Sequence, residues 1–389
     1  MSDNEAPYLL DASRMVWRRW AGLRPTGIDR ICLAWQQHYG AQSQAALFHR
    51  RGWHILPMAA SQALFALLDE ECPRDQFRRR FIGWAARNLG HLLRPQAGRG
   101  RLWLNVGHTG LNIPGLADWV RAADLRPVLM LHDIIPITHP HYCRDGEKAR
   151  HEVRVQTLLR IAHAVVGNSQ DTLDRLNAYA ASINAAVPQR MLAVWPGTPQ
   201  LTMPDKPPPV AGSDFIILGT IEGRKNHLLL LDVWERLVAA HGEAAPRLVI
   251  IGRRGWACEA VLARLAAGGF GSRVVEAGSL GDAEIAERLA GACALLFPSF
   301  AEGYGLPLVE ALDAGVPVIA SDLDVFREIG QGVPDLLPPN DVAAWAAAIM
   351  AYAAPLSPFR ASQMARLAHF QAPDWPGHFR AVDAFLAEL

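Results

Sequence analysis

Two glutamates flank a glycine-rich turn in the second half of the chain. The run Glu302-Gly303-Tyr304-Gly305-Leu306 follows a short apolar segment, and Glu310 stands eight residues after Glu302. Glycine lets the main chain approach a ligand closely, and the amides at a helix start bind anions such as phosphate. Because a carboxylate beside phosphate is unfavourable, we interpret the glutamates as ligands of hydroxyl groups, such as those of a sugar. Two solvated carboxylates at an ordinary helix start are the plainer alternative.

A second turn carries two adjacent cations. The segment Gly219–Asn226 reads GTIEGRKN and places Thr220, Arg224 and Lys225 directly after the apolar run Phe215–Leu218. Adjacent cations beside helix amides suit a diphosphate, which carries more charge than amides alone neutralise. A solvated basic turn explains this segment equally well by itself, and the nearby glutamate segment favours the diphosphate site.

Both turns follow segments that read as buried strands. The apolar runs typical of buried strands are Tyr8–Leu10, Ala46–Phe48, Leu102–Val106, Val128–Leu131, Ala164–Val166, Phe215–Leu218, Leu248–Ile251, Val274–Val275, Ala294–Phe297 and Pro317–Ala320. Segments with helical periodicity, near 226–241, 256–267, 282–291 and 307–314, separate the later strands. Strand–helix alternation predicts parallel sheets covered by helices, with ligands at the carboxyl ends of the strands.

Length and composition predict how many such sheets there are. The chain has 389 residues, of which 50% are hydrophobic and 20% charged, which excludes a wholly disordered or fibrous protein. One core stops growing at roughly 250–300 residues, and the proline-rich segment Pro196 to Gly212 has the character of a linker. We therefore predict two doubly wound α/β domains, residues 1–200 and 212–372, facing each other across a cleft.

Charge, cysteine content and hydropathy narrow the setting. Residues 1–200 hold 24 Lys and Arg against 16 Asp and Glu, and residues 201–389 hold 14 against 22. Such an asymmetry suits either an anionic partner of the first half or attraction between the two halves. Five scattered cysteines suit a reducing compartment. We expect no spanning segment, because no apolar run reaches about 20 residues. We expect no signal peptide, because the N-terminus lacks a basic stretch followed by an apolar run and a small-residue cleavage site.

The glutamate segment resembles the donor-site signature of family 4 retaining glycosyltransferases, which have the GT-B fold of two Rossmann-like domains. GTIEGRKNH resembles the phosphate-binding turn of that family, and LVIIGRRGW resembles the next strand and loop of its mannosyltransferase-like branch. Three segments of the first half resemble the same branch: Thr26–Arg30, His132–Pro140 and Val194–Thr198. The resemblance covers nearly the whole chain, and it implies that the last helix, about 375–389, packs back on the first domain.

The resemblance implies a role for each donor-side residue. Lys225, with Arg224, would hold the donor diphosphate and stabilise the charge of the leaving group. Glu302, with the main chain of Gly303, Tyr304, Gly305 and Leu306, would hold the transferred sugar. Glu310 would hold the ribose of the nucleotide.

Two residues of the first half also receive roles from the resemblance. His132 would line the sugar near its anomeric carbon, and Gly27 would let its loop approach the diphosphate. Two positions depart from many relatives: Gly223 stands where proline is common, and Thr220 stands where arginine is common. Thr220 remains a candidate donor-binding residue, since the mannosyltransferase-like branch accepts threonine there.

The implied reaction is transfer of a hexose, with retention, from a nucleotide sugar to a glycan or lipid-linked glycan. GDP-mannose is the first expectation for the donor, in bacterial surface polysaccharide or lipopolysaccharide assembly on the cytoplasmic side of the inner membrane. Neither a metal, a further cofactor nor a nucleic-acid partner is expected. A UDP-sugar donor, another enzyme on the same fold, and a non-catalytic sugar-nucleotide-binding or scaffold protein stay as alternatives.

Two other patterns have plainer interpretations than metal binding. Asp322-Leu323-Asp324 matches a metal-binding D-x-D pattern, but Ser321 or one of these aspartates is better read as a helix cap. His132, His139 and His141 are spaced too loosely for zinc, so we expect one site histidine and two loop histidines.

The segment Asp75–Pro95 is basic and has an apolar stripe at helical spacing. The stripe consists of Phe77, Phe81, Trp84, Ala85, Leu89 and Leu92, and the cations are Arg78, Arg79, Arg80, Arg87 and Arg94. A helix at a membrane interface and a domain helix with its stripe in the core explain it equally well. The basic and aromatic run Arg14–Trp20 could contact an acceptor, a membrane or a neighbouring domain.

Overall fold

A computed structural model describes residues 6–49, 52–91, 97–204 and 214–389. The chain divides into two compact units. The first unit comprises Met1–Ile134, Ala149–Pro196 and Trp375–Leu389. The second unit comprises Ile135–Lys148 and Gly197–Asp374.

The first unit holds a seven-stranded sheet flanked by helices. Its strands lie in the order β3-β2-β1-β4-β5-β6-β7, and all neighbours are parallel except β2 and β3. The strands are β1 (Tyr8–Asp11), β2 (Ser43–His49), β3 (Gly52–Ile55), β4 (Arg101–Asn105), β5 (Leu125–Leu131), β6 (Ala164–Gly167) and β7 (Met191–Ala193). The helices up to residue 182 are α1 (Ser13–Ala21), α2 (Gly27–Tyr39), α3 (Met58–Asp69), α4 (Arg74–Arg87), α5 (Leu116–Ala122), α6 (Ile135–Thr138), α7 (Glu147–Ile161) and α8 (Gln170–Ser182).

The second unit holds a six-stranded parallel sheet in the order β10-β9-β8-β11-β12-β13. Its strands are β8 (Asp214–Leu218), β9 (Arg247–Ile251), β10 (Val274–Gly278), β11 (Ala294–Phe297), β12 (Val318–Ser321) and β13 (Asp335–Leu337). The remaining helices are α9 (His227–His241), α10 (Glu259–Ala267), α11 (Asp282–Ala290), α12 (Leu306–Asp313), α13 (Asp324–Ile329), α14 (Val342–Ala353), α15 (Pro358–Leu367) and α16 (Trp375–Ala387).

Each sheet carries its own hydrophobic core. In the second unit, every residue of β11 and β12 is buried, which agrees with their unbroken apolar sequences. Helix α9 packs on this sheet through Trp234, whose indole Nε1 donates to the carbonyl of Pro246 at 2.8 Å. In the first unit, Trp35 of α2 is buried and donates to His378 of α16 at 3.1 Å. Helix α16 therefore completes the core of the first unit.

All ten predicted strands are present among the described residues, but β10, an edge of the second sheet, has no buried residue, so its prediction as a buried strand is wrong. The described residues also contain three further strands, which lie at sheet edges. Strands β3 and β7 are the two edges of the first sheet, and β13 is an edge of the second. Each has three or four residues that are mostly half-buried. Such short segments lack the apolar run by which the central strands were predicted.

Apart from shifts at the boundaries, where the second unit runs from Gly197 to Asp374, the two units differ from the predicted ranges in one segment. Ile135–Lys148 lies between β5 and β6 in the chain but groups with the second unit. Its Tyr142 ring stacks on Phe300 at a centroid distance of 5.1 Å, and the Tyr142 carbonyl accepts from Trp256 Nε1 at 3.1 Å. These side chains explain the grouping. Residues 205–212 of the predicted linker lie outside the described residues.

Helix length and hydropathy decide whether a helix can span a membrane. Within residues 6–49, 52–91, 97–204 and 214–389, no single helix is long and apolar enough to cross a membrane. Helices α14 and α15 are long and apolar enough only when they are taken together, and they are bent by 85° where they meet.

Candidate functional site

The turn after β8 ends in an asparagine that fixes it to two neighbouring loops. A single 3-10 turn, Gly223–Lys225, leads to Asn226, which adopts a left-handed conformation at the start of α9. Asparagine tolerates this conformation better than most residues. Its side-chain amide donates to the carbonyls of Pro298 at 3.1 Å and Pro339 at 2.6 Å. The turn is thereby held against the loops that follow β11 and β13.

The structure brings Lys225 and Glu302 into direct contact. Strands β8 and β11 are parallel neighbours, so the turns at their carboxyl ends meet. Lys225 Nζ lies 2.6 Å from Glu302 Oε1, and Arg224 Nη1 lies 2.6 Å from Glu302 Oε2. Ser299 Oγ also donates to Glu302 Oε1 at 2.8 Å. Both predicted cations therefore share one carboxylate.

A second glutamate completes this group. Arg224 Nε lies 2.7 Å from Glu222 Oε1, while Glu222 Oε2 is buried without a hydrogen-bond partner among the described residues. We call Glu222, Arg224, Lys225 and Glu302 the charge cluster. It holds two cations and two carboxylates, so its formal charge is balanced. No sequence motif singled out Glu222 or Ser299, although Glu222 lies within the GTIEGRKN segment.

Burial and charge act in opposite directions within the cluster. Lys225 and Glu302 are only 6% and 7% exposed. Burial alone would raise the pKa of Glu302, but Arg224 and Lys225 lower it to about 2. Burial lowers the pKa of Lys225, and the Glu302 carboxylate counteracts this. Glu302 is therefore ionised at neutral pH, and its charge keeps two desolvated cations in place.

The glycine turn after β11 leads directly into α12. Gly305 caps this helix with a φ of 115°, and a Cβ atom there would lie 2.8 Å from the Phe326 ring. No side chain caps the helix, and Pro307 lies in its first turn. The main chain from Gly303 to Gly305 thus links Glu302 to the start of α12, and its contact with a donor sugar stays a prediction. Tyr304 is buried, and its hydroxyl has no partner among the described residues.

Two further predicted donor residues lie on the same elements as the turns. Glu310 is the fifth residue of α12 and is half-buried. Thr220 is half-buried in the loop after β8, and its methyl group would lie 2.5 Å from a Cβ at Gly255. Their roles on the ribose and the diphosphate stay predictions.

His132 lies in the first unit, directly after β5. Its Nε2 is 2.7 Å from the carbonyl of Val106, which makes Nε2 the protonated nitrogen. The other nitrogen, Nδ1, is buried without a partner among the described residues. Burial lowers the pKa of His132 to about 4, so the ring is neutral at physiological pH.

A second histidine, His108, was not predicted. Its ring centroid lies 5.0 Å from that of His132, and its Nε2 is likewise buried and unpartnered among the described residues. The backbone of His108 has a φ of 58°, which is unusual for a residue other than glycine. Burial lowers the pKa of His108 well below its ordinary value. The only sequence signal was a histidine between two glycines in Gly107–Gly110. We call His108 and His132 the histidine pair.

Gly27 begins α2, and a dense network fixes its loop. The preceding residue, Thr26, forms a capping box with Asp29 at the start of the helix. In this motif each side chain accepts a hydrogen bond from the backbone N–H of the other residue. Asp29 also accepts from Arg14 Nε at 2.7 Å and lies 3.0 Å from Arg18 Nε. The sequence predicted a loop at Gly27 but did not predict the ion pairs of Asp29 with Arg14 and Arg18.

The D-x-D segment binds an arginine instead of capping a helix. Arg327 lies 2.6 Å from Asp322 and 3.2 Å from Asp324. Leu323 stands at the cap position of α13, and no side chain caps that helix. The predicted capping role is therefore wrong, because Arg327 competes for the carboxylates. Across the part of the chain that the structure describes, no group of three or more His, Cys, Asp or Glu side chains is arranged to hold a metal ion.

Comparison with known proteins defines the class of the second unit. Residues 212–354 match the family model described as "Glycosyl transferases group 1". A solved structure of HepE from Anabaena, in complex with UDP and glucose, aligns with 99% of this chain and 100% of that chain at a TM-score of 0.66 and 16% identity. The fold is therefore GT-B, and residues 212–354 form a glycosyl transferase group 1 domain.

Two curated relatives are more specific. The serotype-specific mannosyltransferase WbdA of Escherichia coli is 28% identical over 230 residues, covering 55% of this chain and 28% of WbdA. The O-antigen chain mannosyltransferase B of Escherichia coli is 32% identical over 135 residues, covering 35% of each chain. The chain spans about a third of the length of these relatives.

Proposed function

We propose that this protein is a retaining hexosyltransferase that takes its sugar from a nucleotide donor. The acceptor is a glycan or lipid-linked glycan of a bacterial surface polysaccharide, on the cytoplasmic side of the inner membrane. The observation that carries the proposal is the charge cluster at the carboxyl ends of β8 and β11, within a glycosyl transferase group 1 domain. The mannosyltransferase names of the relatives support mannose as the sugar.

The cluster suits the handling of a diphosphate. In the structure, the cations Arg224 and Lys225 are neutralised by Glu302. A donor diphosphate would replace that carboxylate as their partner, and Glu302 would turn to the hydroxyl groups of the sugar. The cations are already ordered by their glutamates, so their orientation costs little when the donor binds.

Catalysis then consists mainly of stabilising the leaving group. The bond from the anomeric carbon to the diphosphate oxygen breaks, and the diphosphate takes the electron pair. The acceptor hydroxyl forms the new bond to the same carbon from the same face, and its proton passes to the departing phosphate oxygen. Lys225 and Arg224 neutralise the charge that develops on that oxygen. This route requires neither a side-chain nucleophile nor a metal ion.

We propose GDP-mannose as the donor, and a UDP-sugar is the second candidate. The relatives support mannose, whereas the HepE structure that shares the fold contains UDP and glucose. The two candidates differ in base and sugar but share the diphosphate. The charge cluster therefore serves either donor.

The test is release of nucleoside diphosphate from the full chain incubated with GDP-mannose or UDP-glucose, with EDTA and without acceptor. We expect slow release of GDP, with mannose appearing first as the α-anomer in proton NMR. Lys225→Met should abolish the release, whereas Arg236→Ala, which removes an exposed cation from α9, should not. Release of UDP but not of GDP would show that the donor is a UDP-sugar. A chain that binds donors but never cleaves them, even with added glycans, would contradict the transferase and favour a sugar-nucleotide-binding protein.

A further inference from the structure

Helices α1 and α4 of the first unit together expose an aromatic and basic surface. Trp17 and Trp20 lie one turn apart on α1, and Arg78 and Ile82 lie one turn apart on α4. Arg78 joins the two helices, because its Nε donates to the carbonyl of Trp20 at 2.9 Å and its guanidinium lies 5.1 Å from the centre of the Trp20 ring. We call these four residues the Trp–Arg face.

Large apolar side chains on this face remain in contact with water. Trp17 is 59% exposed and Ile82 is 57% exposed. Trp20 and Leu23, which follows α1, are also exposed. Exposed apolar residues are ordinary when they occur singly, but a contiguous group beside cations marks an interaction site.

Most of the apolar stripe predicted for Asp75–Pro95 packs in the core of the first unit instead of lying on this surface. Phe77 and Trp84 are buried in the core of the first unit, and Trp84 Nε1 donates to the carbonyl of Ala60 at 3.1 Å. Phe81 packs partly buried against the same core. These three residues therefore belong to the fold, whereas Leu89 of the same stripe is 54% exposed. The exposed surface is the neighbouring face of α4 together with α1. Leu92 and Arg94 of the predicted segment lie outside the described residues.

The charge around the Trp–Arg face is strongly positive. Helix α1 has three arginines and no acidic residue, and α4 has five arginines and one aspartate, Asp75. Four of these eight arginines are paired with carboxylates: Arg14 and Arg18 with Asp29, Arg74 with Asp75, and Arg80 with Glu70. Arg79 is exposed on the same helix. The surface therefore favours an anionic partner.

We propose that the Trp–Arg face docks the protein on an anionic lipid bilayer. Tryptophan suits the boundary between headgroups and acyl chains because its ring is apolar and its N–H is polar. Arginine suits lipid phosphates because its guanidinium offers several donors in a plane. Stacking on single-stranded nucleic acid is less favoured, because Arg78 covers one side of the Trp20 ring and Phe81 approaches it at a centroid distance of 5.9 Å.

The docking is tested by flotation of the full chain with lipid vesicles, which requires neither donor nor acceptor. Vesicles of phosphatidylglycerol and phosphatidylcholine should carry the protein upward at low salt, whereas pure phosphatidylcholine vesicles should not. Trp17→Ser combined with Ile82→Ser should weaken binding about tenfold, as expected when interfacial apolar area is removed. Arg79→Glu should weaken binding by a similar factor, because it reverses one charge at the surface.

A matched control separates this surface from general stickiness. Phe359 of α15 is 58% exposed in the second unit, and Phe359→Ser should leave vesicle binding unchanged. Unchanged melting temperatures would show that all variants fold. Failure of the wild-type chain to float with anionic vesicles, or equal flotation of the double variant, would overturn the proposal. Tighter binding to single-stranded RNA than to vesicles at the same salt concentration would also overturn it.

Fluorescence quenching supplies an independent readout. Brominated acyl chains should quench the tryptophan emission of bound wild-type protein, and Trp17→Phe combined with Trp20→Phe should remove most of that quenching while preserving binding. Quenching that is unchanged in this double variant would show that another surface meets the bilayer. Because neither assay involves a sugar donor, its outcome is independent of the proposed transfer reaction.

Discussion

The charge cluster of the second unit and the histidine pair of the first unit solve the problem of buried polarity differently. In the cluster, Lys225 and Glu302 remain ionised because each is the other's partner. In the pair, His108 and His132 are held neutral by burial, and each keeps one nitrogen without a partner among the described residues. Charges are compensated in one region, and hydrogen-bonding capacity is left open in the other.

This difference in charge determines which kind of ligand each region can bind. A compensated ion pair can exchange one anion for another, so it suits a donor diphosphate. Neutral imidazoles with an unused nitrogen suit hydrogen bonds to uncharged groups such as hydroxyls. The following variants change one region at a time, and their expected effects separate the two tasks.

The largest effect is expected from Lys225→Met. This change removes the ammonium but keeps an unbranched chain to pack where Lys225 Nζ lies 4.4 Å from the centre of the Phe297 ring. Loss of one preorganised group facing the developing charge should lower kcat by about 10³-fold. Glu302 keeps Arg224 and Ser299, so the fold should survive, as the melting temperature would show. Activity within a few fold of wild type would remove Lys225 from the reaction.

A smaller loss is expected from Glu302→Gln, and its signature differs. Glutamine preserves the size of the side chain but removes the negative charge between Arg224 and Lys225. Turnover should fall about 10²-fold through misplacement of the sugar, while nucleoside diphosphate should bind at least as tightly as before, in a calorimetric titration. Glu276→Gln, which breaks an exposed pair with Arg254, is the control. Loss of nucleotide affinity with normal turnover would refute the role of Glu302 on the sugar.

The histidine pair is expected to affect the pH dependence of stability. The folded pKa of His132, about 4, lies below its ordinary value of 6.5, so the unfolded chain binds more protons between these values. Stability should therefore fall as pH decreases through this window, by about 2 kcal/mol at pH 5 from His132 alone. Chemical denaturation at pH 7.5 and 5 should show a smaller difference for His132→Asn than for wild type. The exposed His141→Asn is the control, and an equal decrease in both variants would contradict the burial argument.

The smallest effect is expected at the D-x-D segment. Asp322→Asn combined with Asp324→Asn removes two exposed salt bridges to Arg327, which are worth little individually. Transfer activity with EDTA present should stay within about twofold of wild type, because the proposed route uses no metal at these carboxylates. A large loss that added divalent metal reverses would show that the segment binds a cation.

The sequence predicts the central strands well because burial on both faces leaves an unbroken apolar run. The edge strands β3, β7 and β13 escape this test because they are short and half-buried. The pairing of Ile135–Lys148 with the second unit was also not predictable, since it depends on side-chain contacts such as Tyr142 with Phe300. Tertiary contacts, not local pattern, decide such cases.

The candidate site shows the same division. Lys225 and Glu302 could be placed at strand ends, but they are 77 residues apart, and their contact depends on β8 and β11 being sheet neighbours. Glu222 and His108 carried no motif of their own, because their importance comes from burial. Asp322 and Asp324 were misinterpreted as caps because the competing partner, Arg327, is found only in the folded chain.

The most direct test of the charge cluster is a calorimetric comparison of GDP with guanosine, and of UDP with uridine, on wild type and Lys225→Met. Only the nucleotides carry the diphosphate, so each pair isolates its contribution. The preferred nucleoside diphosphate should bind at least about tenfold more weakly to the variant, as expected for loss of a charge-assisted contact. Binding of the corresponding nucleoside should be unchanged. Equal affinity of both proteins for the nucleoside diphosphate would contradict the central claim that the cluster receives the donor diphosphate.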